Sequence, residues 1–441
     1  MIDFNIFVNP VFVSVIVLCV LCLLKINVLL AIIIAAIVAG EISGMSIDEI
    51  MQTFISGMGS NSETALSYIL LGAFAAAMTH TGLATILAKK IAKLIKNNVF
   101  LLLLILTAIA MMSQNLIPIH IAFIPIIIPP LIPLMNNLKL DRRAVACALA
   151  FGLKMPYIAI PAGFGLIFQS LIAENITQNG MNVLKSDVWK STWFLGVAML
   201  VGLLISVLIS YSKPRVYEDV AIVETQAQIE DVQALKFNKN HYVTLLGAFA
   251  TLVVQLWSNS LPLGALVGLG IIFGGRAIKH RQMDKLINEG VGLMGYVAFV
   301  MLVAAGFAMV LKQTGGVETL IQSIIPLMEG NKLIASVLML IIGLFVTIGI
   351  GTSFGTIPIL AVLFVPICVK LGFSIPATII MIAAAAALGD AGSPASDTTL
   401  GPTAGLNVDN QHNHIWDTCI PTFLHYNIAL IIFAIIGVLI F

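Results

Sequence analysis

The stretches G-T-S-F-G-T (351–356) and G-D-A-G-S-P-A-S-D-T-T (389–399) decide how this chain is read. Each interrupts a segment otherwise apolar enough to span a membrane. A carboxylate at bilayer depth costs about 2.5–3.5 kcal/mol on insertion scales, so Asp390 and Asp397 must face a cavity, a partner or an ion. The glycines and Pro394 break the helix that carries them. Broken backbone at that depth is tolerated only inside protein or along a water-filled cavity, where freed carbonyls and hydroxyls coordinate a small cation. The two tracts therefore predict a transporter's binding site.

Composition supports a membrane setting. Hydrophobic residues make up 59% of the chain and charged residues 10%, with a mean hydropathy of +1.06, far from the balance of a soluble domain. The net charge of +1 comes with no basic or acidic block, so neither nucleic acid nor an anionic surface is an evident partner. The five cysteines (Cys19, Cys22, Cys147, Cys368, Cys419) lie in or beside apolar runs, and the C-x-x-C at 19–22 has no histidine or acid nearby. Metal or redox use is not expected. No basic residue precedes the first apolar run and no small-residue cleavage site follows it, so it reads as a helix and not as a signal peptide.

Apolar runs of spanning length fall near 10–24, 27–43, 65–88, 98–135 (a double), 144–173, 192–212, 241–257, 261–275, 289–311, 333–350, 357–370, 376–388 and 418–440. The long polar connection 213–240 carries four basic and five acidic residues, reads as a solvated cytoplasmic linker, and separates a first transmembrane repeat (1–212) from a second (241–441). Lysine and arginine gather at 89–96, 139–143, 213–239 and 276–285, whereas 44–64 has acids and no base. The basic loops should be cytoplasmic and 44–64 external. Gly57-Met58-Gly59 through Thr81-Gly82 matches Gly290-Val291-Gly292 through Thr314-Gly315 at one constant offset, and Ala150-Phe151-Gly152 meets Ala387-Leu388-Gly389 at nearly the same one. By the basic-residue count, the run at 65–88 ends inside while its counterpart at 289–311 begins there, so the copies are inverted. The run 98–135 is either two crossings or a re-entrant hairpin with its tip near Ser113-Gln114-Asn115; its counterpart 333–370 would place 351–356 at the second tip. The predicted fold class is all-α: a polytopic integral membrane protein of about 11–13 transmembrane helices in two inverted-topology repeats, with re-entrant hairpins and broken helices.

At 351–356 and 389–399 the sequence resembles the NhaC-type Na+/H+ antiporter family, whose members show G-T-S-W-G-T and G-D-x-x-S-P-x-S-D-T-T. The second string is specific, and the resemblance is best over 289–425. The first half resembles the branch often called YuiF-like, some of which are thought to carry amino acids such as histidine. The resemblance implies a secondary transporter of the bacterial inner membrane, a fixed scaffold and, often, a homodimer. Phe354 stands where the family has tryptophan, which keeps a stacking face but changes its shape.

Asp390 and Asp397, with Ser393, Ser396, Thr398, Thr399, Thr352, Ser353 and Thr356, supply hard oxygen donors of the kind that replace sodium's hydration shell. Competition of Na+ and H+ for one carboxylate gives exchange directly. The plainer reading of Asp397 is a helix cap. Lys154 sits in the first half close to the position equivalent to Asp390, where a lysine imitates a bound cation; the pair is expected to neutralise when sodium is absent and to separate when it binds. The alternative is a lysine that snorkels to the interface. Gln114, Asn115 and His120 lie in the first hairpin region, where amides orient a polar solute and a histidine relays protons, or where all three simply join helices. Gly290 and Gly292 are expected to allow close helix approach. His412-Asn413-His414 with His425 has the look of a metal cluster, but an i, i+2 pair does not share a helical face.

No nucleotide-binding G-x-x-x-x-G-K-[ST] occurs, which argues against ATP-driven pumping. An intramembrane hydrolase built on Asp390, Asp397 and Ser393 explains neither the repeat nor the second polar tract. A channel differs from a carrier in passing a continuous current. The sequence thus predicts no enzyme and no cofactor beyond Na+ and H+ as transported or coupling ions: a secondary active transporter working by alternating access in the cell membrane, performing Na+/H+ antiport or, as the alternative, Na+- or H+-coupled amino-acid transport.

Overall fold

A computed structural model describes residues 8–24, 26–83, 98–115, 124, 128, 131–218, 237–258, 260–316, 319, 331–350, 352–394 and 396–441. Among these residues all regular structure is helical. The first half runs α1 (Pro10–Leu23), α2 (Val28–Ile42), α3 (Ile47–Met58), α4 (Ser62–His80), α5 (Val99–Asn115), α6 (Ile132–Asn137), α7 (Arg142–Ala159), α8 (Phe164–Gln178) and α9 (Lys185–Ile205). The second runs α10 (Lys239–Ser258), α11 (Leu261–Gly274), α12 (Met283–Gln313), α13 (Lys332–Ile350), α14 (Ser353–Lys370), α15 (Ile375–Ala387), α16 (Asp397–Leu406) and α17 (Ile420–Ile440). Amphipathic α3 begins at a capping box in which the Glu49 amide donates to the Ser46 hydroxyl (3.3 Å) and the Ser46 amide donates back to the Glu49 carboxylate (3.2 Å), satisfying two otherwise orphaned donors. Outer helices turn large apolar side chains outward, among them Trp193, Phe249, Trp257 and Ile432, as a surface in contact with lipid requires.

Element for element, α4, α5, α7–α8 and α9 are matched by the later part of α12, then α13, α15–α16 and α17. Gly82 and Gly315, which close α4 and α12, both take left-handed φ values, +73° and +64°, where a side chain would be strained. The hydroxyls of Thr81 and Thr314 beside them each donate to a carbonyl three residues back, Met78 O at 3.0 Å and Leu311 O at 2.7 Å. The inverted relation is visible where the counterparts touch. Gly57 packs on Ala305, Gly306 and Met309; the Asn61 amide donates to Met301 O (3.3 Å); Gly72 packs on Gly290 and Met294; His80 reaches Glu289 (2.9 Å). Residue numbers rise along one strip and fall along the other, so α3–α4 and α12 lie antiparallel.

The segment 333–370 is a hairpin. Its two outer ends lie together, with Lys332 Nζ donating to Gly372 O (2.7 Å), and at its inner end Ser353 meets the break after α15 through Asp390. From there α16 continues for another ten residues, roughly 15 Å of rise, so the tip stops short of the far face. In the first half α5 packs on the middle of α7, with Gly152 against Thr107, Ala110 and Met111, and α6 meets the start of α7 through Asn136 and Arg142; the expected tip at 113–115 forms the last turn of α5, and residues 116–123 lie outside the described residues. The breaks differ in form. Helices α7 and α8 meet at 47° around Gly163 (φ +56°), whereas α15 and α16 are separated by a polar loop turned at Gly389 (φ +78°) and Gly392 (φ +106°).

One expectation about the glycines is corrected. Gly290 does permit close approach, since a Cβ there would press into the Ala73 backbone. Gly292 faces open space, because a two-residue step on a helix turns the position away from α4. Valine at Gly290 should therefore cost about 1–3 kcal/mol through overpacking and lower the melting temperature of the detergent-purified protein. Gly292→Val should leave it within error.

Candidate functional site

The break between α15 and α16 puts Asp390 among donors from both halves of the chain. Asp390 and Lys154 are 5% and 1% exposed, and their charged atoms are 2.8 Å apart (Nζ–Oδ2). The same Oδ2 accepts from the Ser353 hydroxyl (2.5 Å), the Ser353 amide (3.2 Å) and the Tyr157 hydroxyl (3.2 Å). Ser353 is the first residue of α14, so its amide is one of the unpaired donors at a helix start, where a negative charge is favoured. The other carboxylate oxygen accepts a very short bond from the Ser396 hydroxyl. Ser396 is also the N-cap of α16, taking the Thr398 amide (3.1 Å).

Four elements thus converge on one carboxylate. Lys154 and Tyr157 share a face of α7 at i, i+3 spacing. Ser353 stands at the hairpin tip, Asp390 on the polar loop and Ser396 at the start of α16. Lys154 Nζ also donates to Ser353 Oγ (3.3 Å), which lies 2.9 Å from the Tyr157 hydroxyl. A layer of threonines braces the loop from behind. Thr398 Oγ1 lies 2.8 Å from Ser396 Oγ and donates to the Asp390 carbonyl (3.3 Å), while Thr399 Oγ1 donates to the carbonyls of Ser393 (2.5 Å) and Ser396 (2.8 Å). Beside the pair, Phe354 is surrounded by Tyr157, Phe168, Tyr68 and Phe164, with ring centroids 5.1, 5.7, 5.7 and 6.5 Å away.

The sequence-predicted residues divide accordingly. Lys154, Ser353, Asp390, Ser396 and Thr398 come together, and Thr399 and Ser393 form the adjoining layer. Thr356 bonds back to the carbonyl of Ser353 within its own helix (2.9 Å). Thr352 is the N-cap residue of α14, with no side-chain cap bond. Asp397 begins α16, and its side chain lies outside the described residues, as do those of Gln114 and Asn115; His120 lies outside them entirely. The histidines fasten backbone and hydroxyl groups. His412 Nε2 meets Thr418 Oγ1 (2.7 Å), His414 bridges Thr403 Oγ1 (2.7 Å) and Pro394 O (2.9 Å), and His425 bridges Pro421 O (2.7 Å) and Ser210 Oγ (2.8 Å). Tyr157 was not predicted, although its spacing from Lys154 was readable.

The profile of the Na+/H+ antiporter family matches residues 147–438, and a second profile described as a Na+-H+ antiporter family matches 9–95. The chain belongs to the Na+/H+ antiporter family. Within the family it is 44% identical, over 98% of its length and 100% of the relative's, to YuiF of Bacillus subtilis, whose name proposes an amino acid transporter. An uncharacterized membrane protein of Vibrio parahaemolyticus, VP2115, is 46% identical over 98% of this chain and 100% of its own. The fold is shared with the YdaH transporter of Alcanivorax borkumensis (TM-score 0.60, 13% identity, 98% of both chains). It is also shared with MtrF of Neisseria gonorrhoeae, described as illuminating a class of antimetabolite efflux pumps (TM-score 0.58, 16% identity, 89% of this chain and 85% of that one). This antiporter-family member is a secondary transporter and a multi-pass membrane protein; it is not an enzyme.

Removing one member of a buried ion pair costs more than removing both, by about 3–5 kcal/mol for the uncompensated charge. Lys154→Met should accordingly lower the melting temperature more than the double variant Lys154→Met/Asp390→Asn. Thermal unfolding of the three purified proteins checks the order.

Proposed function

We propose that the chain performs Na+/H+ antiport by alternating access, with Asp390 as the shared ion site and Lys154 as the group that carries the proton. The observation behind this reading is the 2.8 Å pairing of the two across the halves of the chain. A protonated Lys154 occupies the position of a cation at Asp390. An incoming Na+ takes that position, with Asp390, Ser396 and Ser353 offering oxygens in place of its hydration shell. The displaced ammonium then faces burial without a carboxylate, which favours its neutral form, and it releases its proton. The site is neutral before and after the exchange, and one Na+ has replaced one H+. Returning the site to the opposite face and reversing the exchange completes the cycle.

A second reading has its own support. An ammonium and a carboxylate held together are what the two ends of an amino acid would replace: its ammonium at Asp390 and its carboxylate at Lys154. The aromatic rings around Phe354 stand where a side chain would pack, and the name of the Bacillus relative points the same way. Reconstitution into sealed vesicles separates the two. Antiport predicts that a Na+ gradient alone moves protons without any added amino acid, and that Asp390→Asn abolishes this flux. Proton movement only when histidine or another amino acid is supplied would replace the antiport reading with the amino-acid one.

A further inference from the structure

Arg142 opens α7 and is fully buried about 18 Å along the helix from Lys154. Its guanidinium donates to both oxygens of Asp409 (2.7 and 2.6 Å), to the Leu406 carbonyl that ends α16 (3.1 Å) and to Asn136 Oδ1 (2.9 Å). The outer ends of α7 and α16 are therefore joined, one from each half of the chain, just as Lys154 and Asp390 join the halves at the site. Over this joint lies the start of the linker. Arg215 donates its amide to Lys139 O (2.9 Å) and its guanidinium to Asp417 (2.7 Å). The Tyr217 ring lies under the guanidinium groups of Arg142 (4.2 Å) and Arg215 (5.3 Å), and its hydroxyl accepts the Arg142 amide (3.0 Å). Glu218 and Gln411 form a two-bond clasp, each bond 2.8 Å. Residues 213–218 are thus docked structure, in contrast to the solvated linker that the sequence suggested for the whole of 213–240.

We propose that residues 213–218 are a strap that seals the linker-side passage to Asp390, and that opening the site on this face requires the strap and the Arg142–Asp409 pair to part. A carrier must close one face while the other is open. A desolvated ion pair has two discrete arrangements, paired and dry or separated and wet, and so suits that task. The strap is not a pH switch. Burial alone would raise the Asp409 carboxyl, but the bonds and charge of Arg142 hold it below its ordinary value. Burial pushes His412 down to about 4, with Asp417, Arg142, Arg215 and Asp141 around it. In the folded protein it is therefore neutral above about 4, and stability is lost as pH falls from the unfolded value near 6.5 toward 4, where only the unfolded chain takes up the proton.

The gate does not depend on which solute is carried. The test is a cysteine pair, Glu218→Cys with Gln411→Cys, in a variant whose native cysteines are replaced and whose transport is confirmed, joined by oxidation or by a short bismaleimide. Joining should lower flux at least tenfold, and reduction of the disulfide form should restore it. Arg215→Cys with Asp417→Cys repeats the test at a second point on the strap. The readout is Na+-driven proton flux or, if the wild type shows none, uptake of labelled histidine, so failure of the antiport reading remains distinct from failure of the gate. Undiminished flux in protein shown by mass spectrometry to be joined at either pair would overturn the proposal.

Discussion

The rest of the molecule is arranged so that one lysine and one aspartate can stay charged inside a membrane protein. Neither is tolerable alone at that depth. Lys154 needs a helix that carries it inward from the Arg142 end, and Asp390 needs a helix that stops and frees polar backbone. The hairpin tip supplies the hydroxyl and the helix-start amide of Ser353, and α16 supplies Ser396. The two halves must also pack antiparallel, since only then do an early helix and a late loop converge from opposite faces. The small residues between α4 and α12 allow that packing, with Gly72 and Gly290 in backbone contact.

The same logic recurs at the far ends of the half-helices. Arg142 and Asp409 are again one basic and one acidic group from opposite halves, buried together and joined by two bonds between the terminal guanidinium nitrogens and both carboxylate oxygens. The chain is thus joined by charge at two levels, and any motion of one half against the other must change the pairing at one level or both. Ion pairs add a second requirement, since a separated buried charge must find water or a new partner, and this sharpens the discrete states that packed interfaces already favour.

Much of this was legible in the sequence. The all-helical membrane class followed from composition, and the inverted repeat followed from matched glycines and basic loops. Asp390, Lys154, Ser353 and Ser396 were readable because polar residues in an apolar run are conspicuous. Tyr157 was harder, since a tyrosine among alanines and isoleucines reads as core, and only its spacing from Lys154 betrays it. The strap was illegible: Arg215, Tyr217 and Glu218 belong by composition to a solvated connection, and their partners Asp409, Gln411 and Asp417 lie far along the chain. Hydropathy reports what enters the membrane and is silent about which loop residues dock on one another.

The central claim is that Na+ and the Lys154 ammonium compete for Asp390. Calorimetric titration of the purified protein with Na+, in two buffers of different ionisation enthalpy, counts the protons released per ion bound. The account predicts close to one proton per Na+, and release that disappears in Lys154→Gln. Saturable Na+ binding to the wild type without proton release would contradict it.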